Sequence, residues 1–374
     1  MRIAHVTDFY LPRLGGIELH VADLAERQRA QGHVVDVLTS SPGPAESHVT
    51  RLGPFAGLAQ PLSALAVRAG VRVLQASGVD VVHAHVGVGS PLAFFLARAT
   101  ARLGIPTVVT VHSLWNGVHP VMSAADAWGH WCRLPIVWTA VSEAAAEPVR
   151  RLLPGQDVRV VPNGIDQEGW RPAEHTPEGT GPVTAVAVMR LSLRKRPIPL
   201  LRMLRRANAV LPADAPLHLV VAGDGPMRTV MRLYAARHGM SRRVTLLGRL
   251  DRAGVARAFS TASLFVAPAR LESFGIAALE ARCAGLPVVA MASGGVREFV
   301  SDGTEGVLCA DDDDMVRALV RLAHDRALRE RMAAHNASSD TRIAWPSVLE
   351  ATCGAYRDAV ALQPTAVAPV RLSP

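Results

Sequence analysis

The sequence of 374 residues is nearly devoid of lysine: of 40 basic side chains, 39 are arginine and Lys195 is the single lysine. Cysteine is scarce as well. Cys132, Cys283, Cys309 and Cys353 lie far apart and at no metal-ligand spacing, which argues against both a zinc site and a disulfide framework. Aromatic residues make up only 5% and never interleave with basic ones, so no nucleic-acid surface is indicated. No apolar run approaches the roughly 18 residues needed to cross a bilayer; the densest lies around residues 92–97. Met1-Arg2-Ile3-Ala4-His5-Val6 leads straight into strand-like sequence, without a signal-peptide or lipidation pattern. Together these absences predict a soluble, cytoplasmic protein.

What is present is enough to fold. With 49% hydrophobic and 19% charged residues the chain can bury full cores, and its length suggests two domains rather than one. The charge is unevenly spread. Residues 1–170 carry 13 basic and 13 acidic side chains, so the net +8 belongs to the C-terminal half. Scattered arginines with few aromatics fit a small phosphorylated ligand there better than a polynucleotide. A lone lysine amid arginines is either chance or a site that wants a compact ammonium on a flexible stem.

The first half alternates strand and helix. Residues 2–9 read as a buried strand, Gly15-Gly16 end the next loop, and 17–31 form an amphipathic helix closed by Gly32. Short β-branched runs follow at 34–39, 80–85, 107–112 and 136–141, which implies a parallel sheet with helices on both faces. Residues 162–182 are rich in proline and glycine and read as a linker. A second series places strands at 183–189, 217–222, 244–246, 264–267 and 288–290, with helices starting near Pro197, Met227, Arg252, Phe274 and Asp314. The expectation is two doubly wound domains, 1–168 and 169–344, with ligands bound in the cleft between their strand ends. A last helix at 345–361 is expected to cross back to the first domain, and 362–374 to be a disordered tail.

The densest chemistry lies in Pro268-Ala269-Arg270-Leu271-Glu272-Ser273-Phe274-Gly275-Ile276, with Glu280 beyond it. A strand ends there, Ser273 is placed to cap the next helix, and Gly275 allows close backbone approach. Free N–H groups at a helix N-terminus suit a diphosphate. Glu272 and Glu280 can accept hydrogen bonds from sugar hydroxyls, or simply be solvated carboxylates flanking a helix. Gly15-Gly16 permit phosphate approach or only make a turn. His112, in Thr110-Val111-His112-Ser113, competes with His83 and His85, which read as structural. Four aspartates at 311–314 look like helix caps rather than a metal site, and Glu18 is open between acceptor contact and a solvent-facing role.

In this setting the sequence resembles the family 4 glycosyltransferases of the GT-B fold, which carry a Glu-x7-Glu element matched by Glu272 and Glu280. Gly15-Gly16 match the family's glycine loop, His112 its active-site histidine, and Val161-Pro162-Asn163-Gly164-Ile165-Asp166 the segment near its hinge. Arg190 and Lys195 match its Arg-x4-Lys diphosphate pair, and Gly223-Asp224-Gly225-Pro226 a turn after the next strand. The family often has glycine before that arginine and after that lysine; here Met189 and Arg196-Pro197 stand there. The resemblance covers about residues 1–360.

The resemblance implies an α/β, GT-B protein of two Rossmann-like domains that retains anomeric configuration and needs neither cofactor nor metal. A UDP- or GDP-linked sugar would be the donor. Arg190, Lys195, Ser273, Phe274, Gly275 and Ile276 would take its diphosphate, Glu280 its ribose, and Glu272 with His112 the transferred sugar. Gly15, Gly16, Gly223, Asp224 and Gly225 would complete the donor site, while Glu18 and Asn163 would meet a hydroxylated acceptor in the first domain. Because that domain's half of the chain is charge-neutral, a small acceptor such as a cyclitol or aminocyclitol is favoured over a lipid or polysaccharide at a membrane. An epimerase would need a carboxylate pair in the first domain. A non-catalytic sugar-nucleotide binder would not need the four charged residues. A nicotinamide dehydrogenase would show Gly-x-Gly-x-x-Gly after the first strand, and none is there.

Overall fold

A strand buried on both faces of a parallel sheet must be apolar almost throughout, and the stretches that meet this condition form the sheets of this protein. The computed structural model describes residues 1–52, 64–115, 131–171 and 182–363. They divide into two compact units, Met1–Gly164 with Trp345–Pro374, and Ile165–Ala344.

The sheet of the first unit contains β1 (Arg2–Thr7), β2 (Val34–Thr39), β3 (Val49–Arg51), β4 (Val81–Val86), β5 (Thr107–Val111), β6 (Ile136–Ala140) and β7 (Val158–Val160). Their order is β3-β2-β1-β4-β5-β6-β7 and every pair is parallel. Register sets His5 beside His83 and His85 beside Thr110. Because side chains alternate along a strand, His5, His83, His85 and Thr110 share one face. The helix Gly16–Ala30 and the C-terminal helix Trp345–Ala361 supply that face's partners. Tyr356 and Ala359 are fully buried in a cluster with Ile3, Val81 and Val108, so the final helix belongs to the first unit.

The second unit repeats the plan with β8 (Thr184–Val188), β9 (His218–Ala222), β10 (Val244–Gly248), β11 (Leu264–Ala267), β12 (Val288–Met291) and β13 (Gly306–Cys309), in the order β10-β9-β8-β11-β12-β13. Its core joins Leu200, Leu204, Leu219, Val221, Val266 and Val289.

Several details differ from the sequence reading. The short edge strands β3 and β7, the strand β13 and the helix Arg326–Ser338 were not anticipated, being too short or too polar to show a period. The division falls after Gly164, not at 168, because Ile165 bridges to Ala344 and the Gln167 side chain bonds Ser339 and Thr341. Trp170 is buried against Phe259, so the start of the expected linker is packed into the second unit. The rest of that linker, 172–181, and the expected tail from 364 lie outside the described residues.

Candidate active site

β8 has β9 on one side and β11 on the other, so the loops leaving β8 and β11 diverge from neighbouring strands at the switch point of the sheet. This topology brings together two of the candidates. The Lys195 ammonium donates a hydrogen bond to the Glu272 carboxylate although the residues are 77 positions apart, and the side chains are 30% and 20% exposed. Partial burial strengthens such a pair and still leaves it accessible to a ligand.

The neighbour of that lysine explains a departure from the family pattern. Arg196 has φ 58° and ψ 45°, the left-handed conformation that glycine adopts without cost. Its guanidinium offsets the strain by donating to both Asp312 carboxylate oxygens, at 2.9 and 2.7 Å, and to the Pro268 carbonyl at 3.0 Å. Arg270 joins the same carboxylate at 3.1 Å. The Arg196 guanidinium beside Asp312 holds its carboxyl below the usual range. The aspartate run is therefore tied to arginines and to the helix Asp312–His324, where Asp311 accepts from the Asp314 N–H at 2.8 Å.

Gly223 is a steric necessity. With φ 138°, a Cβ there would lie 1.9 Å from the Met189 carbonyl oxygen, so the turn after β9 can press on the loop after β8 only as glycine. Gly225 meets the Leu191 carbonyl in the same way, and the Asp224 carboxylate accepts from the Gly225 N–H and pairs with Arg228. Arg190 lies exposed in the loop after β8.

The helix does not begin directly after Ser273. The helix Ile276–Cys283 is N-capped by Gly275 at φ 93°, without a side-chain cap. The reason is steric: the chain turns in the left-handed region at Gly275, which delays the first helical residue to Ile276. Ser273 and Glu272 precede this turn, Glu280 lies on the second turn, and the Phe274 ring is buried against Phe299. Phe274 thus has only its backbone to offer a ligand. Gly294-Gly295, outside the expected site, pack their backbone on Glu272: the Gly295 N–H donates to the Glu272 carbonyl at 3.0 Å. The doubled glycine after β12 was the available signal.

In the first unit, Gly15 is extended and caps the helix that starts at Gly16. A Cβ on Gly15 would lie 2.4 Å from a Glu18 carboxylate oxygen, so the glycine makes room for that side chain. Glu18 does not face solvent: it is 3% exposed and pairs with Arg13 at 2.9 Å, because a carboxylate folded over a helix N-terminus is favoured there. Asn163 is buried, with no hydrogen-bond partner at Oδ1 among the described residues. A Cβ on neighbouring Gly164 would strike the Trp345 ring at 2.5 Å. Asp8, at the end of β1, accepts from the Leu92 and Ala93 N–H groups, and burial lifts its carboxyl to about 6.

His112 follows β5 and is buried at the end of a chain of imidazoles. Its Nε2 lies 3.0 Å from His85 Nδ1, and His85 Nε2 lies 2.9 Å from His5 Nδ1. His20 stacks on Trp345 and lies 5.5 Å from the His112 ring, centroid to centroid. Burial pushes His5 down to about 4 and His112 to about 3, and His20, His83 and His85 well below the ordinary value. All are neutral at pH 7. His5, His83 and His85 are close enough together to suggest a metal site. Each of their ring nitrogens, however, already bonds a neighbour: Gln28 and His85 for His5, Tyr356 and Thr110 for His83, His5 and His112 for His85. His83 and His85 are thus parts of the interior, as the sequence suggested; His5, His20, Gln28 and Tyr356 were missed, since only the folded sheet brings them together.

Comparison with known proteins agrees with this architecture. Residues 14–168 match the model of Glycosyltransferase Family 4, and residues 171–338 that of Glycosyl transferases group 1. The D-inositol 3-phosphate glycosyltransferase of Stackebrandtia nassauensis is 30% identical, over 96% of this chain and 89% of its own length. The glycogen synthase of Mycobacterium tuberculosis is 29% identical, over 95% and 94%. The crystal structure of Anabaena Alr3699/HepE in complex with UDP and glucose superposes with a TM-score of 0.77 at 19% identity, covering 95% of this chain and 98% of that one. The chain belongs to the family 4 glycosyltransferases and has the GT-B fold. Among the described residues, no helix is long and apolar enough to cross a membrane.

Proposed function

We propose that this glycosyltransferase moves a hexosyl group from a UDP- or GDP-linked sugar to a hydroxyl of a small acceptor such as a cyclitol or aminocyclitol, with retention of configuration and without a metal. The observation that carries the reading is the Lys195–Glu272 pair at the switch point of the second sheet. In this reading the second unit binds the donor. Arg190, Lys195 and the backbone of 273–276 face the diphosphate, Glu280 the ribose, and Glu272 and His112 the transferred sugar. The bond from the anomeric carbon to the diphosphate oxygen breaks as negative charge gathers on that oxygen. Fixed cations and a helix N-terminus stabilise that charge, which is the service a metal gives in other transferases. The acceptor oxygen bonds the anomeric carbon on the departing side, and its proton passes to the diphosphate.

The inositol phosphate named for one relative supports a cyclitol acceptor, while the glycogen synthase shows that relatives of equal similarity differ in what they glycosylate. The test is a screen of UDP-, GDP- and TDP-hexoses for slow hydrolysis, then for transfer to cyclitols, with the product's anomeric configuration read by NMR. Transfer to a cyclitol with retained configuration in the presence of EDTA is expected. An inverted product, activity restored only by a divalent ion, or transfer confined to lipid or glucan acceptors would each overturn the corresponding part.

A further inference from the structure

Four of the buried imidazoles of the first unit, His5, His83, His85 and His112, form part of one continuous hydrogen-bonded chain, and its direction can be deduced. Thr139 Oγ1 reaches the Val109 carbonyl at 3.3 Å, and a carbonyl can only accept, so Thr139 donates there. Thr139 then accepts from Thr110 at 2.6 Å, and Thr110 in turn accepts from His83 Nε2 at 2.6 Å. A neutral imidazole has one donor and one acceptor. His83 Nδ1 is therefore an acceptor, and it takes the Tyr356 hydroxyl proton at 2.9 Å. Tyr356 accepts from the Gln28 amide nitrogen at 2.9 Å, which turns the amide oxygen toward His5 Nε2, at 2.7 Å. His5 donates from Nε2, so its Nδ1 accepts from His85 Nε2 at 2.9 Å, and His85 Nδ1 accepts from His112 Nε2 at 3.0 Å.

We infer that this directed chain holds His112 as its Nε2–H tautomer with Nδ1 as the acceptor, and that Tyr356, Gln28, His5 and His85 are positioning residues for it. The chain needs every imidazole neutral, and burial keeps them so. Its midpoint is on the C-terminal helix, some 240 residues from His112 in sequence, so that helix does more than cover the sheet. At His112 the consequence is chemical: Nδ1 carries a lone pair and no proton, so it accepts hydrogen bonds and gives none. The use of that acceptor on a sugar hydroxyl rests on the function proposed above, whereas the tautomer does not.

The test is histidine-selective 15N labelling of the full chain and two-bond 1H–15N correlation at pH 7.5, with assignment by single His→Asn variants. His5, His83, His85 and His112 are each expected as the neutral Nε2–H form. An Nδ1–H or doubly protonated ring at any of the four overturns the inference. In Tyr356→Phe, where the link is cut and the aromatic ring kept, an Nδ1–H population should emerge at His112. Turnover should fall about 10–100-fold, by analogy with losing the hydrogen-bond partner of a metal-ligating histidine. An unchanged His112 tautomer there would reduce Tyr356 to packing and overturn the long-range part. Should that variant not fold, Thr139→Val cuts the chain at its anchoring end and is read by the same spectrum. If the tautomers are as expected but His112→Ala hydrolyses the donor like the parent, the inference stands and the placing of His112 at the sugar fails.

Discussion

In the first unit the imidazoles beside the sheet are neutral and buried, four of them hydrogen-bonded into one chain; in the second the polar groups after β8 and β11 are charged, partly exposed and paired between loops. All five buried histidines among the described residues, His5, His20, His83, His85 and His112, belong to the first unit. The second unit instead pairs Lys195 with Glu272, and Arg196 and Arg270 with Asp312. The two arrangements have different capacities. A buried neutral network holds one geometry and resists protonation, because charging it costs desolvation. Half-exposed ion pairs contribute little to stability but can exchange partners when a charged ligand arrives.

Acid should separate the two units most strongly. The imidazoles of the first unit have folded pKa values below the ordinary 6.5, so the unfolded chain binds more protons than the folded one between those values. Their contribution is complete above pH 6.5 and is lost as the pH falls toward about 4 for His5 and about 3 for His112. Each buried imidazole adds to this loss, so the first unit should be the more acid-sensitive of the two. Asp8, raised to about 6, works the other way, but it is one group against five. In the second unit Glu305 and Asp312 are held below their ordinary values, so their contribution is lost only under stronger acid. Pulse-labelled hydrogen exchange after incubation at pH 5 should show peptides of 81–112 opening before those of 184–222. The reverse order would dissolve the contrast between the units.

A second test addresses the charged side. Lys195→Ala should lower kcat and kcat/KM together by about a hundred- to a thousandfold, as expected when a contact to the leaving group is lost, with little change in melting temperature. Lys195→Arg keeps the charge but replaces a compact ammonium with a larger planar group, and should fall at about the lower end of that range or below it. Near-parental turnover in both would mean that the lone lysine is an accident of composition.

Gly223→Ala tests the steric link between the two loops. The added methyl would meet the Met189 carbonyl in a backbone conformation that disfavours it, so a loss of about 1–3 kcal/mol is expected by denaturant melting. The smallest effect belongs to Arg196→Gly. Relief of left-handed strain, about 1–2 kcal/mol, nearly cancels the loss of a partly exposed ion pair, so stability should change by less than about 1 kcal/mol. A large loss would show that the Asp312 pairing holds the lysine loop in place.

Much of this protein was legible without coordinates. Apolar runs bounded by glycine and proline marked most strands, since a strand covered on both sides has to be apolar and a turn has to be permissive. The glycine pairs, the Arg-x4-Lys and the Glu-x7-Glu spacing were readable because each lies within one loop or helix start. The start of the helix at Ile276 was misjudged, because Ser273 has the chemistry of a cap and only backbone geometry reveals that Gly275 takes its place. Glu18 is ambiguous in the sequence because a carboxylate one turn into a helix is equally at home in solvent or folded over the helix end.

Where the sheets run and which loops carry charge follow from the order of residues alone, because those properties depend on neighbours along the chain. That Lys195 meets Glu272, that Arg196 takes a glycine's conformation, and that Tyr356 stands in line with His5, His85 and His112 is settled by the folded chain. Strand order sets these meetings. A parallel sheet places side by side residues whose separation in sequence is the length of a whole crossover, and no local pattern records which of them will share a proton.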